Sequence, residues 1–196
     1  MAEQHLRVFT IPMFARTADT GWYNWLGERL RARKKFPMES YTVVELQPGP
    51  EKALISDCIT ALKVAIGSDK EKLARTAIVG HSIGAQVALR TLSEMPAGSQ
   101  INGLLCIAGW LKLDMRTRAI GPWLDLPFDE KRAAENARHI LNVVSGSDAN
   151  QINALGVQED WKERLGADVK IAATPGHFSD MESEDALTAT LEFFGK

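Results

Sequence analysis

Ser82 stands in Gly80-His81-Ser82-Ile83-Gly84, a G-x-S-x-G run that follows the apolar stretch Thr76-Ala77-Ile78-Val79 and precedes an amphipathic stretch. A strand, this five-residue turn and a helix form the setting in which a serine serves as a nucleophile. The spacing has a physical reason. The chain must turn sharply while holding the serine in a strained conformation, and the two glycines remove side chains that would collide across the turn. The serine then lies at a helix N-terminus, where backbone N–H groups face a developing oxyanion. A serine hydroxyl is a poor nucleophile without a base, and the chain has four histidines. His5 precedes the first predicted strand and His139 opens the fifth, so both fall at the wrong end of a sheet. His81 occupies the variable place in the turn, with its side chain directed away from the serine. That leaves His177, after Thr174-Pro175-Gly176 and the last predicted strand.

The histidine needs an acid to fix its tautomer and to stabilise its imidazolium. Asp148 closes Ser145-Gly146-Ser147-Asp148 after the fifth predicted strand and is the leading candidate. Asp114 and Asp180 compete, and any of the three could be merely a turn or cap residue. The chain order Ser82, Asp148, His177 is that of α/β hydrolases rather than of trypsin or subtilisin. One oxyanion donor is predicted at the backbone N–H of Ile83. The other is assigned to Phe14 in Ile11-Pro12-Met13-Phe14-Ala15-Arg16, with Met13 or Ala15 as alternatives.

These groups meet only if the elements between them bring them together. Short β-branched runs read as strands over 6–11, 41–46, 76–79, 101–108, 139–144 and 169–173. Longer amphipathic runs read as helices over 22–35, 50–66, 83–95, 151–165 and 184–194, with Pro50 suited to a first helical position. Such alternation implies right-handed crossovers and a six-stranded, mostly parallel sheet covered on both faces. Sites in such sheets lie at the carboxyl ends of the strands. The segment 111–133 breaks the rhythm. Its Met115, Trp123, Leu124, Leu126 and Phe128 form either a small apolar cap over the site or a packed connection.

The chain has 196 residues, 45% of them hydrophobic and 24% charged. That predicts one folded α/β domain over 1–196 and excludes disorder. A net charge of −2 gives no case for a nucleic-acid partner. No stretch approaches the ~20 apolar residues of a membrane helix, and the N-terminus lacks a basic-then-apolar signal pattern. Cys58 and Cys106 sit in apolar segments, as reduced, buried thiols of a cytoplasmic protein would. No metal-ligand spacing and no phosphate-binding glycine pattern occurs, so no metal and no cofactor are expected. The basic run Arg29 to Lys35 reads as a solvated helix end.

The sequence resembles the small serine hydrolases of the retinoblastoma-binding-protein-nine type and their bacterial relatives. The likeness runs through Gly21-Trp22-Tyr23-Asn24-Trp25-Leu26, the segment Val79 to Ala85, Gly121-Pro122-Trp123, Ser145 to Asp148 and Gly176-His177-Phe178. It implies a compact α/β-hydrolase core lacking the first two strands, with sheet order 2-1-3-4-5-6 and a triad of Ser82, Asp148 and His177. Ester and amide or peptide hydrolysis are both associated with the family. Two departures stand out. Met13 occupies a place where relatives often have glycine, which narrows the acyl site. Ala149-Asn150-Gln151 replaces the Asp and Pro that often follow the triad acid.

The reading that results is a metal-free serine hydrolase acting on a small acyl ester or amide through an acyl-enzyme on Ser82. Met13, Trp22, Trp110 and Phe178 are the expected substrate contacts, although Trp22 and Trp110 also suit plain packing. A protein-interaction module with little or no turnover is the alternative from a different class. An acyltransferase or perhydrolase would use the same triad.

Overall fold

The computed structural model describes residues 5–46, 55–113, 120–148 and 154–195. Six strands form one sheet, in the order β2-β1-β3-β4-β5-β6. They are β1 (Leu6–Ile11), β2 (Met38–Val43), β3 (Thr76–His81), β4 (Gly103–Ile107), β5 (Ile140–Ser145) and β6 (Asp168–Ala172). Every neighbouring pair is parallel. The helices are α1 (Tyr23–Arg31), α2 (Ile55–Ile66), α3 (Lys70–Ala74), α4 (Ile83–Glu94), α5 (Gly121–Asp125), α6 (Glu130–Glu135), α7 (Ala154–Leu165) and α8 (Glu184–Phe194). Among the described residues no helix is long and apolar enough to cross a membrane.

Side chains alternate across the sheet and feed two separate apolar clusters. Leu6, Val8, Ala77, Val79, Leu105 and Ile107 pack under α1 and α8, against Trp22, Leu26, Leu30, Leu187 and Phe194. Phe9, Ile11, Ile78, Leu104 and Cys106 pack under α2, α4 and α7, against Leu62, Leu89, Leu92 and Trp161. The period-2 alternation of a strand thus supplies both faces at once. The central strands β3 and β4 are buried along their whole length, whereas the edge strand β2 is half-exposed.

The sequence pattern places β1 and α8 at their observed bounds, and the strand order is the one the family resemblance implies. Other bounds move for identifiable reasons. β2 begins at Met38 rather than Tyr41, because it pairs from Leu6↔Met38 onward. An edge strand needs backbone pairing more than an apolar run, so Met38 is the one apolar residue of Met38-Glu39-Ser40 and gives no periodic signal. α1 stops at Arg31, short of Lys35, and a turn follows that lets Phe36 enter the core. β3 runs two residues past Val79, since Gly80 and His81 pair with Cys106 and Ile107. β4 is shorter than the predicted 101–108, and Ile101 instead makes an isolated bridge to Ala137. α3 was not expected. It is a single turn capped by Asp69, whose side chain accepts from the Lys72 N–H at 2.9 Å.

The segment 111–133 contains α5, with Pro122 in its first turn, and the start of α6, capped by Asp129. Trp123, Leu124 and Phe128 pack into the cluster beneath α4 and α7, whereas Leu126 is exposed. Arg90, buried on α4, holds this segment. Its guanidinium donates to the carbonyls of Trp123 and Leu126 and lies 4.8 Å from the Phe128 ring. Arg90 is eight residues from Ser82, about 12 Å along the helix, so this anchor lies about two turns beyond the serine. Asp114, Met115, Pro50 and Ala149-Asn150-Gln151 lie outside the described residues.

Candidate active site

The five strands β1, β3, β4, β5 and β6 end along one rim of the sheet, and the candidate residues gather there. Ser82 has φ 52° and ψ −111°. This is a strained conformation for a residue with a side chain, and such strain concentrates at functional sites. Its N–H donates to the Ile107 carbonyl at 2.8 Å, fixing the turn to the end of β4. The two glycines are required by close approach. A Cβ on Gly80 would lie 2.8 Å from the N and Cα of Ala85. A Cβ on Gly84 would meet the Ile11 carbonyl carbon at 2.9 Å and the Pro12 oxygen at 3.0 Å. Helix α4 therefore starts in direct contact with the loop after β1.

The Ser82 hydroxyl does not cap its own helix, and among the described residues it makes no hydrogen bond. It is 8% exposed. At the helix N-terminus the Ile83 N–H has no acceptor of its own within α4, as for any first-turn residue. In the loop after β1, the Met13 N–H is taken by the Tyr23 hydroxyl at 3.0 Å. Phe14, the next residue, has no partner for its N–H among the described residues, and its ring packs against the cluster under α4. Ala15 follows with φ 60°.

His177 and Asp148, distant in sequence, come together. His177 Nδ1 lies 2.6 Å from Asp148 Oδ2. The Asp148 side chain is 1% exposed and that of His177 is 13% exposed. A carboxylate this deeply buried is costly without a charged or strongly polar partner. The carboxylate can only accept, so the Nδ1 proton points at it and the Nε2 lone pair is left for another group. Asp180 is exposed and makes no contact of this kind. His5 and His139 are exposed at the amino ends of their strands. Among the described residues no hydrogen bond joins His177 to Ser82, and the free Nε2 is the ring nitrogen available to the serine.

The loop carrying His177 is tied down at two successive carbonyls. His81 Nε2 meets the His177 oxygen at 2.9 Å, and Trp22 Nε1 donates to the Phe178 oxygen at 2.9 Å. Phe178 has φ 53°. His81 is fully buried, and burial, reinforced by the neighbouring His177, lowers its pKa to about 3. Its Nδ1 lies 2.9 Å from the Tyr23 hydroxyl. Burial pushes that hydroxyl's pKa well above the usual range for tyrosine.

Of the four expected substrate contacts, three are in the core. Trp22 and Trp110 are 0% and 1% exposed, and Phe178 is 4% exposed. Trp22 holds the His177 loop, and the Trp110 carbonyl accepts from the Gln86 side chain. Aromatic residues near carboxyl strand ends look alike in sequence whether they face a ligand or the interior; here the interior wins. Met13 alone is partly exposed, and its Sδ lies 3.8 Å from Ser179 Oγ, across from the His177 loop. The contacts made by Tyr23 and His81 were not read from the sequence. A polar-tipped aromatic at the start of the first helix, directly after Gly21-Trp22, is the available signal for Tyr23.

Known proteins agree with this frame. YdeN of Bacillus subtilis (strain 168) is 23% identical over 181 residues, covering 92% of this chain and 90% of that protein. The crystal structure of the B. subtilis ydeN gene product superposes with a TM-score of 0.81 at 19% identity, over 97% of this chain and 100% of that one. The naproxen esterase (carboxylesterase NP) of B. subtilis gives 0.63 at 10% identity, over 96% and 84%. At these identities the structural likeness speaks for the fold, which is that of the α/β hydrolases. The match to the serine hydrolase family spans residues 8–191, from the first strand to the last helix, and the chain belongs to that family.

Proposed function

We propose that the protein hydrolyses small carboxylic esters, with amides as a slower class, through an acyl-enzyme on Ser82. The observation that carries the reading is the 2.6 Å contact between His177 Nδ1 and the buried Asp148 carboxylate, at the rim where Ser82 is held with positive φ. With Nδ1 protonated toward Asp148, His177 Nε2 is the base. It takes the Ser82 hydroxyl proton as Oγ attacks the carbonyl carbon. The oxyanion accepts from the N–H groups of Ile83 and Phe14. His177 then gives that proton to the leaving oxygen or nitrogen as the bond to the acyl carbon breaks. Water repeats the sequence: it loses a proton to His177, adds to the acyl carbon, and Ser82 Oγ leaves with the proton. Asp148 keeps its charge throughout and offsets that of the imidazolium.

Met13 supports a small acyl group, since its side chain spans from the oxyanion loop toward Ser179. The test is turnover of nitrophenyl esters of increasing chain length. The wild type is expected to favour the shorter esters, with Ser82→Ala lower in kcat by about 10⁴-fold or more. Absence of wild-type turnover across the series, with no covalent adduct from an acyl-type inhibitor, would favour a non-catalytic binding module.

A further inference from the structure

Four segments that flank the candidate site are joined by one string of hydrogen bonds, and its direction can be worked out. The carbonyl oxygen of His177 can only accept, so His81 Nε2, 2.9 Å away, carries the proton. His81 is neutral in its buried setting, so Nδ1 holds a lone pair. The Tyr23 hydroxyl, 2.9 Å from Nδ1, must then donate to it. The same hydroxyl accepts from the Met13 N–H at 3.0 Å. The string runs from Met13 N–H to Tyr23 Oη–H to His81 Nδ1, and from His81 Nε2–H to the His177 carbonyl. A second string braces it: Thr10 Oγ1 donates to the Tyr41 hydroxyl at 2.9 Å, and that hydroxyl donates to the Tyr23 carbonyl. The Tyr23 and His81 rings also pack against Trp22 in tilted contacts, with ring centroids 4.7 Å and 5.4 Å apart.

The geometry points to Tyr23 and His81 as positioning residues that set the oxyanion loop and the His177 loop in one register around Ser82. This inference rests on the proposed triad. By occupying the Met13 N–H, Tyr23 leaves the Phe14 N–H as the donor open to substrate. By holding the His177 carbonyl, His81 fixes the main chain of the base from the residue next to the nucleophile. Neither side chain touches the reacting atoms, so both act through others. Their loss should lower kcat while KM changes little, because the oxyanion contact strengthens in the transition state.

Two measurements decide it. The first is ¹⁵N NMR of the wild-type protein labelled at histidine nitrogens. His81 is expected to show a protonated Nε2 and an unprotonated Nδ1, unchanged from about pH 5 to about pH 8. A proton on His81 Nδ1, or titration within that range, overturns the inference. The second is Tyr23→Phe, which keeps the ring and removes the hydroxyl. Its kcat on a short ester is expected to fall about tenfold to 10²-fold, with KM within about twofold. His81→Gln keeps a donor toward the His177 carbonyl and loses the Nδ1 acceptor. The double variant should therefore lose less than the product of the two single losses. Unchanged kcat in Tyr23→Phe, or a multiplicative double variant, overturns the inference. Wild-type protein that turns over no ester would refute the triad instead, and the tautomer is read without substrate. If a variant does not fold, the wild-type spectrum decides alone.

Discussion

Gly84→Ala separates site geometry from helix propensity, because the two predict opposite signs. Gly84 is the second residue of α4. On propensity alone, alanine in a helix is worth about 0.5–1 kcal/mol more than glycine, so the variant should be more stable. The structure argues otherwise. The new Cβ would sit 2.9 Å from the Ile11 carbonyl carbon and 3.0 Å from the Pro12 oxygen, with the Ile11 oxygen nearer still. Ordinary contact begins at 3.4 Å, so the two backbones must part by roughly half an ångström to one ångström, on the scale at which misplacement costs rate. Both are main chain, and neither can rotate away. The strain is expected to cost about 1–3 kcal/mol, seen as a lower urea midpoint. The parting lies between the Ile83 N–H and the Phe14 loop, so it widens the proposed oxyanion site. A shift of that size is expected to lower kcat on a short ester about tenfold to 10²-fold. Steady-state kinetics beside urea unfolding gives both numbers. A variant as stable as the wild type or more so, with kcat within twofold, would refute the reasoning about this contact.

Other expectations follow from single contacts. Asp148→Asn leaves the shape in place but removes the negative charge and adds an amide donor that can turn His177 to the other tautomer, so kcat should fall by about 10³–10⁴-fold while unfolding changes little by comparison; a loss under tenfold would speak against the pair as the working acid and base. Trp22→Phe leaves the Phe178 carbonyl without its buried donor and should destabilise by about 1–3 kcal/mol, read from the denaturant midpoint; an unchanged midpoint would mean the contact carries no weight. His81 gives a pH signature. Its folded pKa lies near 3 against the usual 6.5, so between those values the unfolded chain takes a proton that the folded chain refuses. Its contribution makes stability drop as pH falls from about 6.5 toward 3, by at most about 1.4 kcal/mol per pH unit. His81→Gln should flatten that slope, and equal slopes for both proteins would refute the assignment.

The sharp turn at Ser82 was legible because it demands glycine at two fixed places, and those demands are local. The sheet order was legible because the resemblance carries it and because alternation of strand and helix leaves few topologies. His177 was reached by elimination, since the other three histidines fall at unsuitable places in the alternation. Asp148 was preferred over Asp114 and Asp180 by its position after a strand, and the structure pairs it with His177. What stayed hidden depends on partners remote in sequence. Nothing local marks the Tyr23 hydroxyl as the group that occupies Met13 N–H, because that meeting depends on where α1 lands on the sheet. Likewise Trp22 and Trp110 show only size and hydrophobicity in sequence, and their burial depends on α8 and α4 closing over them. β2 shifted by three residues because an edge strand can pair through its backbone with little apolar pattern.

The central claim is that Ser82 Oγ is the atom that attacks. Treatment with a fluorophosphonate, digestion and mass spectrometry of the peptides tests it directly. The account predicts one adduct per chain, on the peptide containing Ser82, with labelling lost in Ser82→Ala and strongly slowed in His177→Ala. An adduct on another residue, or labelling that persists in Ser82→Ala, would contradict it.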